Sequence, residues 1–297
     1  MSALLGNPMV TTAALPLVLG VVMALLARVA LPAQVLSLLW AGLLLFFYWD
    51  TLGPPVVPPV AASQKLIYLA FAGIVIGLLP ERLLRAPMTS VLIAIALAAA
   101  LLWLGWRRIA GGSLDPQMVA ALVAGLLAIV GSAMLMSLKV SPSPAVEEPF
   151  LVPAAMLALC LAGAIISVLG ASIVTGQLLG SVAALAGGWC LVQYIAVLRG
   201  GTAVAWSKGN GLLLIFAAAT VLIQVALLAP KANPAALMLS PLPLILAALM
   251  PGALRGLLPG VRPLRPLIAG LLIAMPAMLA ILTAVLWAPH GAALGFS

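Results

Sequence analysis

The sequence predicts an all-α, polytopic helical membrane bundle of about ten transmembrane helices, and three observations support this fold class. First, the 297-residue chain is 66% hydrophobic, only 6% of its residues are charged, and its mean hydropathy is +1.34. Second, apolar runs of roughly 20 residues, the length that spans a bilayer as a helix, recur along the whole chain. Third, it lacks the short alternating segments that are typical of a membrane β-barrel.

Ten apolar runs define the predicted spans. They cover residues 8–27, 30–49, 66–80, 87–106, 117–138, 150–170, 177–198, 211–229, 235–254 and 267–288. The third run is short, and Pro241 and Pro243 interrupt the ninth, so nine spans are an alternative to ten. Because no basic region precedes the first run, we expect it to be retained rather than removed as a signal peptide.

The basic residues between the spans predict the orientation of the helices. With ten spans, nine Lys and Arg fall on one side: Arg28, Arg82, Arg85, Lys139, Arg199, Lys208, Arg255, Arg262 and Arg265. Four fall on the other: Lys65, Arg107, Arg108 and Lys231. Basic loops accumulate in the cytoplasm, so the larger set is predicted to be cytoplasmic and both termini non-cytoplasmic. The expected location is the cell inner membrane, as a multi-pass protein.

The excess of basic residues also bears on partners. The chain has 13 Lys and Arg against 5 Asp and Glu. Since these basic residues lie between apolar runs, we interpret them as a topology signal and expect no nucleic-acid partner. The expected partner is the lipid bilayer, together with a second membrane protein if the chain acts as a subunit.

A proline-rich stretch, Asp50 to Lys65, separates the second and third spans. Its prolines favour an extended path, and the predicted topology places it on the non-cytoplasmic side. We interpret it as a stiff connector. The alternative is a lid, because Tyr48 and Trp49 could anchor its start at the membrane interface.

The segment SPSPAVEEP, residues 141–149, lies near the middle of a chain that we predict to be a single integral membrane domain, 1–297. It divides the spans into two possible halves, 1–140 and 150–297. An odd number of helices in each half would insert the halves with opposite orientations, as in inverted-repeat transporters. The sequences of the halves resemble each other only faintly, so the five-plus-five arrangement is a hypothesis.

Few residues could support catalysis. No interval between spans exceeds about 16 residues, which leaves no room for a soluble catalytic domain. No Asp, Glu, Lys, Arg or His lies at the centre of a predicted span, and His290 is in the terminal tail. We therefore expect no enzymatic activity, cofactor or metal site. The SKGNG stretch, Ser207 to Gly211, could bind a small anion but lacks the spacing of a phosphate-binding loop, and we interpret it as a cytoplasmic turn.

Uncharged polar residues within the spans are the candidate binding residues. Gln193 and Tyr194 lie in the seventh span, and Thr220 and Gln224 lie in the eighth. One interpretation is hydrogen bonding between helices. The other is that these four side chains line a cavity for an uncharged or amphipathic molecule.

A ridge of small residues predicts close packing of the seventh span. Gly176, Gly180, Ala184 and Gly188 are four residues apart and share one helical face. Such ridges let helices approach closely in lipid, and the short loop before this span makes the sixth span the expected neighbour. The alternative is that a glycine- and alanine-rich chain produces this ridge by chance.

Two functions fit these observations. The favoured one is a permease-like transporter of a small apolar or amphipathic molecule, indicated by the two halves and by helix-breaking prolines at positions 16, 241, 243 and 276. The lack of charged residues in the spans counts against ion-coupled transport. The alternative is a non-catalytic scaffold or anchor subunit of a larger membrane complex.

Overall fold

The structure, a computed structural model, describes residues 9–29, 32–80, 83–84, 88–112, 115–138 and 145–288. In these ranges every regular element is a helix. Seven helices are long and apolar enough to cross a membrane. The all-α, polytopic membrane class is thereby confirmed. The segment 141–144 of the predicted linker, residues 1–8 and the tail with His290 lie outside the described residues.

The helices follow each other with short connections. In chain order they are α1 (Leu15–Leu26, continuing a π-helical turn Val10–Ala14), α2 (Ala33–Leu52), α3 (Ala62–Gly77), α4 (Met88–Ala110), α5 (Pro116–Leu138), α6 (Glu148–Leu169), α7 (Ile173–Leu198), α8 (Lys208–Leu228), α9 (Pro234–Leu239), α10 (Leu242–Leu249) and α11 (Leu264–Leu286). A 3₁₀ turn, Arg255–Leu257, precedes α11.

Every predicted span coincides with one of these helices or, for the ninth, with the pair α9 and α10. Seven spans match the long helices, and the other three match shorter apolar segments, Val10–Leu26, Ala62–Gly77 and Pro234–Leu249. The ninth span breaks at Pro241, where proline removes a backbone donor and α10 begins anew. The count of ten membrane crossings stays a prediction.

Helix α3 begins four residues earlier than predicted because its N-terminus is capped. The Gln64 side chain reaches back, and its Oε1 accepts hydrogen bonds from the backbone N–H groups of Val60 (2.9 Å) and Ala61 (3.1 Å). This cap satisfies donors that a helix start otherwise leaves unpaired. The polar residues Ser63 to Lys65 therefore form the first turn of α3 rather than the end of the connector.

Helix α8 is the centre of the bundle. It contacts α2 to α7 and α9, and every residue from Gly209 to Leu227 is buried. Its crossing with α3 is a backbone contact, because a Cβ on Gly209 would overlap the carbonyl oxygen of Gly77. Glycine is required at this point since any side chain would push the two helices apart.

A second close crossing joins α1 to α7. A Cβ on Gly20 would overlap the backbone of Leu185, and a Cβ on Gly188 would overlap the backbone of Leu17. Helix α7 also packs against α6, and α6 in turn packs against α11. Helices of the two possible halves thus pack against each other at α1–α7, α3–α8 and α5–α10. The five-plus-five arrangement stays a prediction.

The bundle has two ends of different character. The basic end holds the C-termini of α1, α3, α5 and α7 and the N-termini of α2, α4, α6 and α8. Six described basic residues lie there: Arg28, Arg199, Lys208, Arg255, Arg262 and Arg265. The opposite end holds the Asp50–Lys65 stretch, in which the Tyr68 hydroxyl donates to the Val56 carbonyl (2.9 Å).

Candidate functional site

Three neighbouring cavities lie at the basic end, and we call them the cavity row. The first, about 480 Å³, lies between α2, the end of α3 and the start of α8. The second, about 160 Å³, shares Leu84 and Ser207 with the first. The third, about 170 Å³, shares Met136 and Val152 with the second. The row therefore follows the end of the bundle from α2 to α10.

The start of α8 supplies the polar part of this row. Ser207 is the N-cap, and its hydroxyl accepts a hydrogen bond from the Asn210 backbone N–H (3.1 Å). Exposed Lys208 lines the second cavity, and Gly209 lines the first. The SKGNG stretch is thus the N-cap and first turn of α8, three residues ahead of the predicted start of this span. The positive end of the helix dipole favours an electron-rich group here.

Apolar side chains form most of the walls of the second cavity. Leu84, Ile215 and Trp206 line it together with Lys208 and Ser207. An apolar wall with a few polar groups at one edge is typical of small-molecule sites. The arrangement suits a molecule that is itself apolar at one end and polar at the other.

Three tryptophans pack together behind the second cavity. The ring centroids of Trp40 and Trp206 are 5.0 Å apart, those of Trp40 and Trp189 are 5.7 Å apart, and those of Trp189 and Trp206 are 6.0 Å apart. Their three indole N–H groups are buried and have no hydrogen-bond partner in the described part of the chain. We call these residues the tryptophan cluster. It was not predicted, because the three residues come from distant elements and follow no periodic pattern.

Gln193 connects the segment that carries Trp206 with Arg28 at the basic end of the bundle. Its Oε1 accepts hydrogen bonds from Arg28 Nη2 (2.9 Å) and from the Val204 backbone N–H (2.9 Å). Val204 lies two residues before Trp206, so this contact fixes the non-helical segment 201–207 against α7. Gln193 Nε2 is buried and has no partner among the described residues.

Asn210 lies in the first turn of α8, at the basic end of the bundle. Its buried side-chain amide has no hydrogen-bond partner within the described ranges. The unpaired groups of the tryptophan cluster, Gln193 and Asn210 therefore lie towards the same end, and such a concentration is unusual in a packed protein.

The four predicted cavity-lining residues do not come together. Gln193 lies at the basic end, whereas Thr220 and Gln224 lie deep in α8. The Thr220 hydroxyl donates to the Ala217 carbonyl (2.8 Å), and Gln224 Oε1 is buried without a partner among the described residues. Tyr194 is half-buried. None of the four lines the cavity row, and their role as cavity-lining residues stays a prediction.

The small-residue ridge of α7 is divided between two neighbours. A Cβ on Gly176 would press against Val168 of α6, whereas one on Gly188 would overlap Leu17 of α1. Gly180 has more room, since the nearest atom to its added Cβ is the Thr12 carbonyl oxygen at 3.9 Å. Ala184 is half-buried. The predicted neighbour α6 thus meets one end of the ridge, and α1 meets the other.

One buried acid completes this end of the bundle. Glu147 precedes α6, and its Oε1 pairs with Arg265 Nη2 of α11 at 3.1 Å. The Glu147 side chain is 2% exposed. Because a buried carboxylate is costly without a partner, this ion pair holds the starts of α6 and α11 together. In the described ranges, no group of three or more His, Cys, Asp or Glu residues could hold a metal ion.

Comparisons with protein-family models, curated protein sequences and solved structures find no significant match for this chain.

Proposed function

We propose that this membrane protein acts as a permease that moves a small amphipathic molecule, which enters through the cavity row. The observation that supports this function best is the position of the second cavity. It lies at the N-terminus of the most buried helix of the bundle, between an apolar wall and the polar residues Ser207 and Lys208. No catalytic step is part of the proposal.

The walls of the second cavity suggest how the molecule would bind. Its apolar part would lie against Leu84 and Ile215. Its polar part would accept hydrogen bonds from Ser207 and Lys208, close to the positive end of the α8 dipole. Head groups that accept hydrogen bonds, including anionic ones, fit this edge better than cations.

Movement across the membrane needs a second arrangement of the bundle. In the arrangement described, residues 212–227 of α8 are buried and fill the path from the cavity row toward the opposite end. Transporters commonly alternate by rocking one group of helices against another. The broken pair α9 and α10, which packs on α5, α6 and α11, is the part of the bundle that has the interrupted backbone such movements use.

The proposal includes an orientation, with the basic end in the cytoplasm of a cell whose inner membrane holds the protein. It follows from the nine-to-four distribution of Lys and Arg in the sequence. Ser63→Cys and Gly260→Cys, each in a chain lacking Cys160 and Cys190, test it with an impermeant thiol reagent on intact cells. Labelling at position 63 alone supports the orientation, and labelling at position 260 alone reverses it.

A scaffold role is the second candidate, and the packed centre of the bundle favours it. The described length of α8 after Lys208 carries no ionisable residue and is buried almost throughout. A protein that only anchors partners needs no internal path. Its lipid-facing helices would then also contact other membrane proteins.

Ligand-dependent stabilisation of the purified protein tests the permease proposal. Amphipathic compounds with neutral or anionic head groups are screened for an increase in Tm in mild detergent. A compound that binds in the row should stabilise the parent and Lys231→Ala, and lose most of its effect on Lys208→Ala. Lys231 is the matched control because it is an exposed lysine at the opposite end.

Two outcomes would contradict the permease proposal. One is an equal increase in Tm for both lysine variants, which would place binding outside the cavity row. The other is a stoichiometric membrane partner that copurifies with a chain that no compound stabilises. That second outcome supports the scaffold.

A further inference from the structure

A fourth cavity lies outside the cavity row, at the seam between the C-terminal ends of α1 and α7. Its volume is about 390 Å³, and it is lined by Leu25 of α1, by Arg28 two residues beyond α1, and by residues at the end of α7 with Gly201. The lining residues from the end of α7 are Val192, Ile195, Ala196 and Arg199. Apolar side chains thus form one part of this groove, and two arginines form the other.

The close crossing of α1 and α7 fixes the position of the two arginines. Both helices end at the basic end, so they run parallel, and Gly20 contacts the backbone of Leu185. Eight residues further along each helix lie Arg28 and Gln193, which form a hydrogen bond of 2.9 Å. The register is therefore continuous from the crossing to the groove. Arg28 and Arg199 follow the ends of these two helices, and both line the groove.

The Arg28 guanidinium is held in place by one of its nitrogens. Nη2 donates to Gln193 Oε1 (2.9 Å) and to the Thr202 carbonyl (3.2 Å). Its Nη1 and Nε have no hydrogen-bond partner among the described residues, and both remain able to donate. Because the side chain is already ordered by the protein, binding through Nη1 or Nε would cost less conformational entropy.

Arg199 has no ion pair or side-chain hydrogen bond with any residue that the structure describes, and it is exposed. Arg262 adds a third positive charge nearby, since its Nη2 lies 3.5 Å from the Gly201 carbonyl oxygen. The one ion pair in the described ranges, between Arg265 and Glu147, is separate from this groove. The positive charge at the groove is thus uncompensated by any described acid.

We infer that this groove binds an anionic phospholipid, with its phosphate at Arg28 and Arg199 and an acyl chain along Leu25, Val192 and Ile195. Arg199 can donate to phosphate with two parallel N–H groups, and Arg28 can add a single N–H donor from Nη1 or Nε. Basic pockets between helices at the membrane surface bind lipid head groups. Leu25 is 51% exposed and Ile195 is 38% exposed, as expected for side chains that face lipid. The inference is independent of the proposed transport function, because the groove lies outside the cavity row.

The test uses the whole 297-residue chain in a neutral detergent with three additives. These are phosphatidylglycerol, phosphatidylcholine and inorganic phosphate at the same concentration as the anionic lipid. Lipid retention is followed by native mass spectrometry, and stabilisation is followed by Tm. We expect the parent to retain phosphatidylglycerol and gain stability from it, with little effect of the other two additives.

The main variant is Arg199→Gln, which removes a side chain without a described protein partner. An arginine at the membrane surface contributes about fivefold to anionic lipid binding, so this variant should lose about that factor. Arg28→Gln should lose at least as much. Arg108→Gln is the matched control, because Arg108 is an exposed arginine in the last turn of α4 and does not line this groove. Circular dichroism verifies that each variant keeps its helical content.

Three results would overturn the inference. If Arg199→Gln keeps the parent's affinity for phosphatidylglycerol, the lipid binds elsewhere. If phosphatidylcholine binds as well as phosphatidylglycerol, the arginines do not select the head group. If inorganic phosphate stabilises the parent as strongly as the lipid does, and Arg199→Gln abolishes that effect, the groove is a site for a free anion.

Discussion

The first turn of α8 borders cavities, whereas the remainder of the same helix is tightly packed. From Leu212 to Leu227 the helix is buried on all sides, and its two polar residues there are Thr220 and Gln224. In the first turn, Ser207, Lys208 and the glycines around Asn210 lie beside cavities and unpaired polar groups. Small and polar residues at this helix end therefore leave space, whereas the apolar helix interior fills it.

One of the glycines that border the cavities also permits a backbone contact between two helices. Gly209 lines the first cavity and contacts the Gly77 backbone. Gly211 lines the second cavity and meets only the Val152 side chain. In one turn of helix, any side chain at Gly209 would disrupt a backbone crossing, whereas a methyl group at Gly211 has room. Substitutions can separate these two roles.

The largest effect should come from Gly209→Ala. The added methyl group would overlap the Gly77 carbonyl oxygen, and neither backbone can yield without moving a helix. Overpacking of this kind costs up to about 3 kcal/mol, and unfolding in a denaturing detergent measures the loss. Gly211→Ala is the control, because its methyl group would lie 3.4 Å from Val152 Cγ1 and alanine favours the helix. Equal stability of the two variants would disprove the backbone crossing.

The second largest loss of stability should come from a substitution in the glycine ridge of α7. A methyl group on Gly188 would overlap the Leu17 backbone of α1, whereas one on Gly180 would have only the Thr12 carbonyl oxygen nearby, at 3.9 Å. We expect Gly188→Ala to lose about 2 kcal/mol of stability. Gly180→Ala should be unchanged or slightly more stable. The reverse order of unfolding midpoints would place the seam with α1 elsewhere on the ridge.

The third prediction compares the stability effects of substituting two glutamines, Gln193 at the basic end and Gln224 in the buried part of α8. Gln193→Leu removes the acceptor for Arg28 and for the Val204 N–H, and leaving such groups unpaired costs about 1 to 2 kcal/mol. Gln224→Leu removes an amide whose Oε1 has no described partner and should leave stability unchanged or raise it. A loss of stability in Gln224→Leu alone would show that the packed part depends on this amide.

The helices could be predicted from the sequence because the length of an apolar run is a property of one segment. The apolar runs predict the helices in their observed order, and Pro241 predicts the break between α9 and α10. The tryptophan cluster could not be predicted, since Trp40, Trp189 and Trp206 meet only through tertiary packing. No spacing rule relates residues from different helices when their neighbours are unknown.

The packing partner of the α7 ridge shows the same limit. A short loop made α6 the expected neighbour, but the tight contact of Gly188 is with α1, which is far away in the chain. A signal for this contact was present in the first span. Gly20 and Ala24 are small, four residues apart and buried on one face of α1. Ridges on two spans are compatible with several pairings, so the sequence alone does not choose one.

The smallest effect should come from the Asp50–Lys65 stretch at the opposite end. Val57 is 82% exposed and Val56 is 45% exposed, and the contact that holds this stretch to α3 uses the Val56 carbonyl rather than a side chain. Val56→Ser with Val57→Ser should therefore change stability by less than about 0.5 kcal/mol. Tyr68→Phe removes the hydroxyl that holds the stretch and should have the larger effect. A connector depends on the path of its backbone and not on the side chains of Val56 and Val57. If the double variant keeps normal stability but loses ligand binding or partner recovery, the stretch acts as a lid.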